Sequence, residues 1–63
     1  MKTIGKIELS PSVAIRHWRT DEDDKFFTVD TPEESKSFPE ADAWLMLCYA
    51  RRMVEWTQEE IKP

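Results

Sequence analysis

One histidine, one cysteine and thirteen carboxylates are the side chains of this 63-residue chain with the most chemistry to offer. Nucleophilic catalysis needs a nucleophile, a base and a group that orients the base, all held close together. His17 falls in the alternating stretch VAIRHWRT, on the same face as Val13 and Ile15. That placement reads as a partly buried, hydrogen-bonded imidazole at the edge of a sheet. Cys48 falls in a helical run, away from the apolar sector of that helix, and reads as a small apolar filler or a lone surface thiol. Two such residues are too few for a zinc centre, which takes four ligands or three plus water. The acid-rich stretch DEDDKFFTVDTPEE lacks the glycine that a calcium loop needs at its sixth position: counting from Asp21 or Asp23, that position is Phe26 or Thr28. Gly5 is the single glycine, so no glycine-rich loop can cradle a phosphate. The sequence therefore predicts a protein that is not an enzyme, with no metal and no cofactor.

Binding chemistry is a different matter. Residues 21 to 42 hold nine acids against Lys25 and Lys36, a net of −7 within a chain whose formal charge is −4. A field concentrated in this way steers partners of the opposite sign and repels phosphate. The candidate binding residues are Asp21, Glu22, Asp23 and Asp24 in the run TDEDDKFF, then Asp30, Glu33 and Glu34. Trp18 and Phe26 join them as aromatic anchors. If adjacent across a hairpin, they sit on the sheet face that a single helix leaves uncovered, beside Arg16.

The elements that must position these groups follow from hydrophobic period. TIGKIEL, VAIRHWRT and KFFTVD alternate as half-buried strands do, predicting strands over 3–9, 13–20 and 25–30. Pro11 between two serines marks the first turn and DEDD the second. In TPEESKS, Thr31 and Glu34 have capping-box spacing around Pro32, which predicts a short helical turn over 32–36. Ser37 and Glu40 repeat that spacing ahead of EADAWLMLCYARRMVEWTQEE, a run free of glycine and proline that predicts a helix over 39–60. At 100° per residue, Ala43, Met46, Leu47, Ala50, Met53, Val54 and Ile61 share one sector, flanked by Leu45, Tyr49 and Trp56. Glu40, Arg51, Arg52, Glu55, Gln58 and Glu59 lie opposite, with Arg51 and Glu55 close enough to pair.

Assembled, these elements predict an α+β fold in one domain spanning 1–63: a three-stranded antiparallel β-meander packed against one C-terminal α-helix. Ile7, Leu9, Val13, Ile15, Phe27 and Val29 are expected beneath the helix. Leu47, at the centre of its apolar sector, is expected to cost about 2–5 kcal/mol when cut to alanine. One cysteine fits a reducing compartment, and the longest apolar run, AWLMLCYA, is far too short for a bilayer. A soluble, cytoplasmic protein without a membrane partner is expected, and a monomer rather than a dimer.

In size, charge and element order, with TDEDDKFFTVDTPEESKSFPEAD followed by a single helix, the chain resembles tiny acidic phage-encoded inhibitors such as anti-CRISPR proteins and other DNA mimics. That resemblance implies a non-enzymatic inhibitor that places carboxylates against the Lys and Arg with which a basic nucleic-acid-binding protein grips DNA. A type I, Cascade-like surveillance complex is the target it suggests. A second stretch, KSFPEADAWL, is similar to the strand-to-helix junction of the sheet-plus-helix domain at the N-terminus of phage integrases. That likeness implies a small DNA-binding accessory module using Lys6, Arg16 and Trp18, but Glu8 and the surrounding acids oppose it. A third reading is an oligomer that buries the aromatic sheet face.

Overall fold

The computed structural model describes the backbone of residues 1–61 and the side chains of residues 1–57. The chain is α+β, with an antiparallel sheet and one C-terminal helix. The strands are β1 (Lys2–Glu8), β2 (Ala14–Arg19), β3 (Lys25–Asp30) and β4 (Ser35–Pro39), in the spatial order β1-β2-β3-β4. A 3₁₀ turn over Glu40–Asp42 leads into helix α1 (Ala43–Ile61).

The first turn is held as its serines suggest: the Ser10 hydroxyl accepts from the Ser12 and Val13 N–H groups at 3.3 and 3.1 Å. The second is a short hairpin loop in which Thr20 N–H donates to Asp24 C=O at 2.9 Å. Asp23 takes a left-handed φ of 69° there. Aspartate tolerates that region better than most residues, so one member of the acidic run has a conformational reason to be where it is.

The third connection corrects the expected helical turn over 32–36. Thr31 and Glu34 do interact, and the Glu34 N–H donates to the Thr31 hydroxyl at 3.2 Å as a cap would require. But Thr31 N–H also donates to Glu34 C=O at 2.9 Å, which closes a hairpin rather than opening a helix. The chain returns as β4, pairing Phe27 with Phe38 and Val29 with Lys36. The sheet thus has four strands, not three. Polar Ser35 and Ser37 hide the period of two; on the other face Phe38 packs against the core and the Lys36 ammonium lies 5.1 Å from the Tyr49 ring centre. With Ser37 in a strand, its expected cap is absent, and Pro39 precedes the 3₁₀ turn without a side-chain cap.

The core is small: Val13, Ile15, Val29, Met46 and Ala50 are buried, with Phe27, Phe38, Tyr49, Met53 and Val54 packed around them. Geometry sets that limit. Four strands about 4.8 Å apart are nearly twice as wide as a helix of about 10 Å, so one helix covers about two strands. α1 lies over β3 and β4. Ile7 and Leu9, expected beneath the helix, are therefore exposed at 62 and 43 %. Leu47 is likewise 50 % exposed, which overturns its expected central role. The buried helix stripe runs through Met46, Ala50 and Thr57, whose hydroxyl is satisfied by the Val54 carbonyl at 3.0 Å. Leu45, more than half exposed, and Trp56, 38 % exposed, flank it, and Arg51 pairs with Glu55 at 3.6 Å on the outer side. The expected placements of Gln58, Glu59 and Ile61 lie outside the described side chains.

Candidate binding surfaces

Strand direction divides the acidic residues into two groups. β3 carries the chain from the β2–β3 loop to the β3–β4 loop, a length of about 20 Å at roughly 3.3 Å per residue. Asp21, Glu22, Asp23 and Asp24 therefore sit at one end of the sheet, and Asp30, Glu33 and Glu34 at the other. With a Debye length of about 8–10 Å in physiological salt, the two groups act as separate patches rather than one band. The β4 turn brings Glu40 and Asp42 to the first end, because Pro39 pairs with Phe26 at the start of β3.

At that first end all four loop carboxylates are exposed. Asp23 pairs with Arg19 at 3.2 Å and Asp21 with the N-terminal ammonium at 3.5 Å. Exposed pairs of this kind contribute about 0–1 kcal/mol and leave the local potential negative. Glu40 meets the His17 imidazole at 3.1 Å. Glu22, Asp24 and Asp42 have no cationic partner among the described residues.

The second end is committed to structure. Asp30 accepts two bonds from the Arg16 guanidinium, at 2.6 and 3.1 Å, and a third from the Ser35 hydroxyl at 2.6 Å. The Arg16 hydrogen bond, above all, holds the Asp30 carboxyl below the usual aspartate range. Glu34 accepts from the Tyr49 hydroxyl at 3.4 Å. Burial, then the Glu34 charge, pushes the Tyr49 phenol up. Only Glu33 is exposed without such a partner among the described residues.

The Asp30 arrangement has a pH consequence. A carboxyl held low in the folded chain contributes stability that is complete above its unfolded value, about 3.9, and is lost as pH falls through its folded value. Asp30→Asn is therefore expected to cost about 1 kcal/mol at neutral pH, a small figure because both partners are partly exposed. It should also flatten the loss of stability below about pH 4. Urea melts of both proteins between pH 2 and 7 measure this; parallel acid limbs would show that the Arg16–Asp30 contact contributes nothing.

On the sheet face away from α1, Trp18 and Phe26 stack with centroids 4.8 Å apart at 22°. The Trp18 indole N–H donates to the Thr28 hydroxyl at 2.7 Å, and Thr28 bonds Ser37 at 2.8 Å. Both rings are half-buried, packed over their own sheet. Beside them Arg16 is engaged by Asp30, which leaves Lys6 as the unpaired cation of that patch among the described residues. On the helix side, His17 stacks on Phe27 at 4.4 Å, within an inner strand rather than at the sheet's edge.

Sequence reasoning missed an apolar surface. Leu9 faces Leu47, Ala50 and Val54 across an open groove bordered by Arg51 and Glu55, and Trp44 (76 % exposed) and Cys48 continue it along α1. The available signal was the number of helices, since one helix cannot cover a sheet of this width. Among the described residues no group of three His, Cys, Asp or Glu could hold a metal ion, and no helix is long and apolar enough to cross a membrane. No family model, curated protein or solved structure matches the chain.

Proposed function

We propose that this protein is a non-enzymatic binding protein that presents the acidic end of its sheet to a basic, nucleic-acid-binding protein and competes with nucleic acid there. The observation that carries the reading is the convergence of Asp21–Asp24 with Glu40 and Asp42 at one end of a rigid hairpin sheet. Glu22, Asp24 and Asp42 there are uncompensated among the described residues. Duplex DNA carries a negative charge about every 1.7 Å along its axis, and a close-set run of carboxylates offers a basic groove a similar field. In its most specific form, following the resemblance to anti-CRISPR proteins, the target is the DNA-gripping surface of a type I surveillance complex.

The surface this proposal uses is narrower than the charge count suggested. Asp30 is occupied by Arg16, and Glu33 and Glu34 lie at the far end, so the binding role rests on the β2–β3 loop and the 3₁₀ turn. Trp18 and Phe26 border this end, because Trp18 and Phe26 pair one step before the loop-flanking Arg19 and Lys25.

Glu22 and Asp24 are the positions to reverse, since neither has a cationic partner among the described residues and Asp23 occupies the left-handed region. Glu22→Lys with Asp24→Lys is expected to leave the circular dichroism spectrum unchanged. Association with a basic DNA-binding target such as a Cascade complex should slow about tenfold or more, with a weaker dependence on salt. Association rates by surface plasmon resonance at two ionic strengths measure it, and an unchanged rate with unchanged salt dependence refutes the proposal. A gel shift with random duplex DNA at low salt separates the DNA-binding alternative: the acidic reading expects no shift.

A further inference from the structure

β1 is an open edge. Among the described residues its outer side has no strand beside it, and α1 does not cover its helix-facing side, so Ile7 and Leu9 are exposed. The other edge, β4, lies under α1 and ends in Pro39, which has no N–H to offer. Unpaired strands of this kind are templates for another strand.

The pairing pattern identifies which groups are free. Leu9 N–H donates to Val13 C=O at 2.9 Å. Hydrogen-bonded and non-bonded pairs alternate along an antiparallel ladder, so Ile7, opposite Ile15, directs its backbone groups to β2. Lys6 and Glu8 direct theirs outward. A second copy approaching antiparallel must match its own outward groups to these, which leaves three registers. One sets Lys6 opposite Lys6 and another sets Glu8 opposite Glu8, both opposed by like-charge repulsion. The third sets Lys6 opposite Glu8 twice and places Ile7 against Ile7 on the two-fold axis.

We propose that this chain forms a homodimer through β1 in that third register, joining two sheets into one of eight strands. Three observations favour a second copy as the occupant. The charges along β1 are self-complementary only in this register. It lies clear of the irregularity between Thr3 and Gly5, which disturbs the strand's first half. It also sets Leu9 of one copy opposite Gly5 of the other, where the space above Gly5 is open: a Cβ added there would meet nothing within 4 Å. Ile7 and Leu9 of the two copies then lie side by side across the seam on one face of the joined sheet, where each shields part of the other's exposed apolar side chains. The β2–β3 loop takes no part in this register, so dimerisation and acidic binding stand or fall separately.

Sedimentation equilibrium tests it by charge exchange. The wild-type protein should be a concentration-dependent dimer. Lys6→Glu places carboxylates opposite each other twice, and Glu8→Lys does the same with ammonium groups. Each is expected to raise the dimer Kd on the order of tenfold or more. An equimolar mixture of the two variants pairs opposite charges again and should recover the dimer, as should the double exchange Lys6→Glu with Glu8→Lys. If either single variant fails to fold, the double exchange decides alone: a dimer supports the proposal and a monomer overturns it. A wild-type protein that stays monomeric up to its solubility limit overturns it. So does a dimer whose Kd neither variant moves, which would assign the contact to another face such as that of Trp18 and Phe26.

Discussion

Met46→Ala should remove a large share of this protein's stability, whereas Leu47→Ala, one residue along, should barely register. Met46 is 3 % exposed and sits between α1 and the strands, with Val13, Ile15, Val29 and Ala50 in the same cluster. Truncating a buried methionine costs about 2–5 kcal/mol, part lost transfer energy and part cavity. At about 0.05–0.15 kcal/mol per residue a chain of this size has about 3–9 kcal/mol in total, so the loss takes a large share of it. With five buried apolar side chains among the described residues, the core has few neighbours able to move into the void. Leu47 is 50 % exposed, keeps water on one side in the folded chain, and should cost less than about 1 kcal/mol. Urea denaturation of the two variants side by side measures the difference. Equal losses would mean that α1 is rotated about its axis from the orientation described. Dimer formation through β1 would make the measured stability depend on the logarithm of protein concentration, so the comparison is made on dilute protein.

Lys36→Pro is the second large effect, and it tests the strand that the sequence pattern hides. Thr31 N–H bonds Glu34 C=O, so by alternation the Lys36 and Phe38 N–H groups point at β3 and that of Ser37 points away. Proline at 36 removes a ladder hydrogen bond and leaves the Val29 carbonyl without its partner in a buried strand. A cost of about 2–3 kcal/mol follows, with loss of amide protection along β4. Ser37→Pro removes an outward N–H and the Thr28 hydroxyl bond, for about 1 kcal/mol. Lys36→Ala, which removes only the ammonium over the Tyr49 ring, should cost about 0.5–1 kcal/mol. Hydrogen exchange with thermal melts of the three variants gives the answer. If Lys36→Pro were as mild as Ser37→Pro, residues 35–39 would not be a paired strand.

That hidden strand shows how local chemistry can be read correctly and assigned to the wrong element. Thr31, Pro32 and Glu34 carry the marks of a helix start, and the Thr31 hydroxyl does accept the Glu34 N–H. Whether the next residues coil or extend was decided by the open edge of β3, where Phe38 could meet Phe27 and Tyr49. No window of ten residues contains that edge. The acidic residues show the same limit. Their number and exposure are plain in the sequence, but Asp21 and Glu34 are parted by the length of β3, while Glu40 and Asp42 are brought back beside the loop by a strand the pattern concealed.

The sequence by itself determined the α+β class, the three alternating strands and the long C-terminal helix, because each rests on a period that a short stretch carries whole. It put Trp18 and Phe26 on one sheet face and left their adjacency open, which the β2–β3 register then supplied. The tertiary structure alone decided that β4 exists, that Asp30 serves Arg16, and that Ile7, Leu9 and Leu47 face outward. The first and the last depend on how many strands stand side by side beneath one helix, and the second on the β2–β3 register that sets Arg16 diagonal to Asp30. Such widths belong to the assembled sheet and to no segment within it.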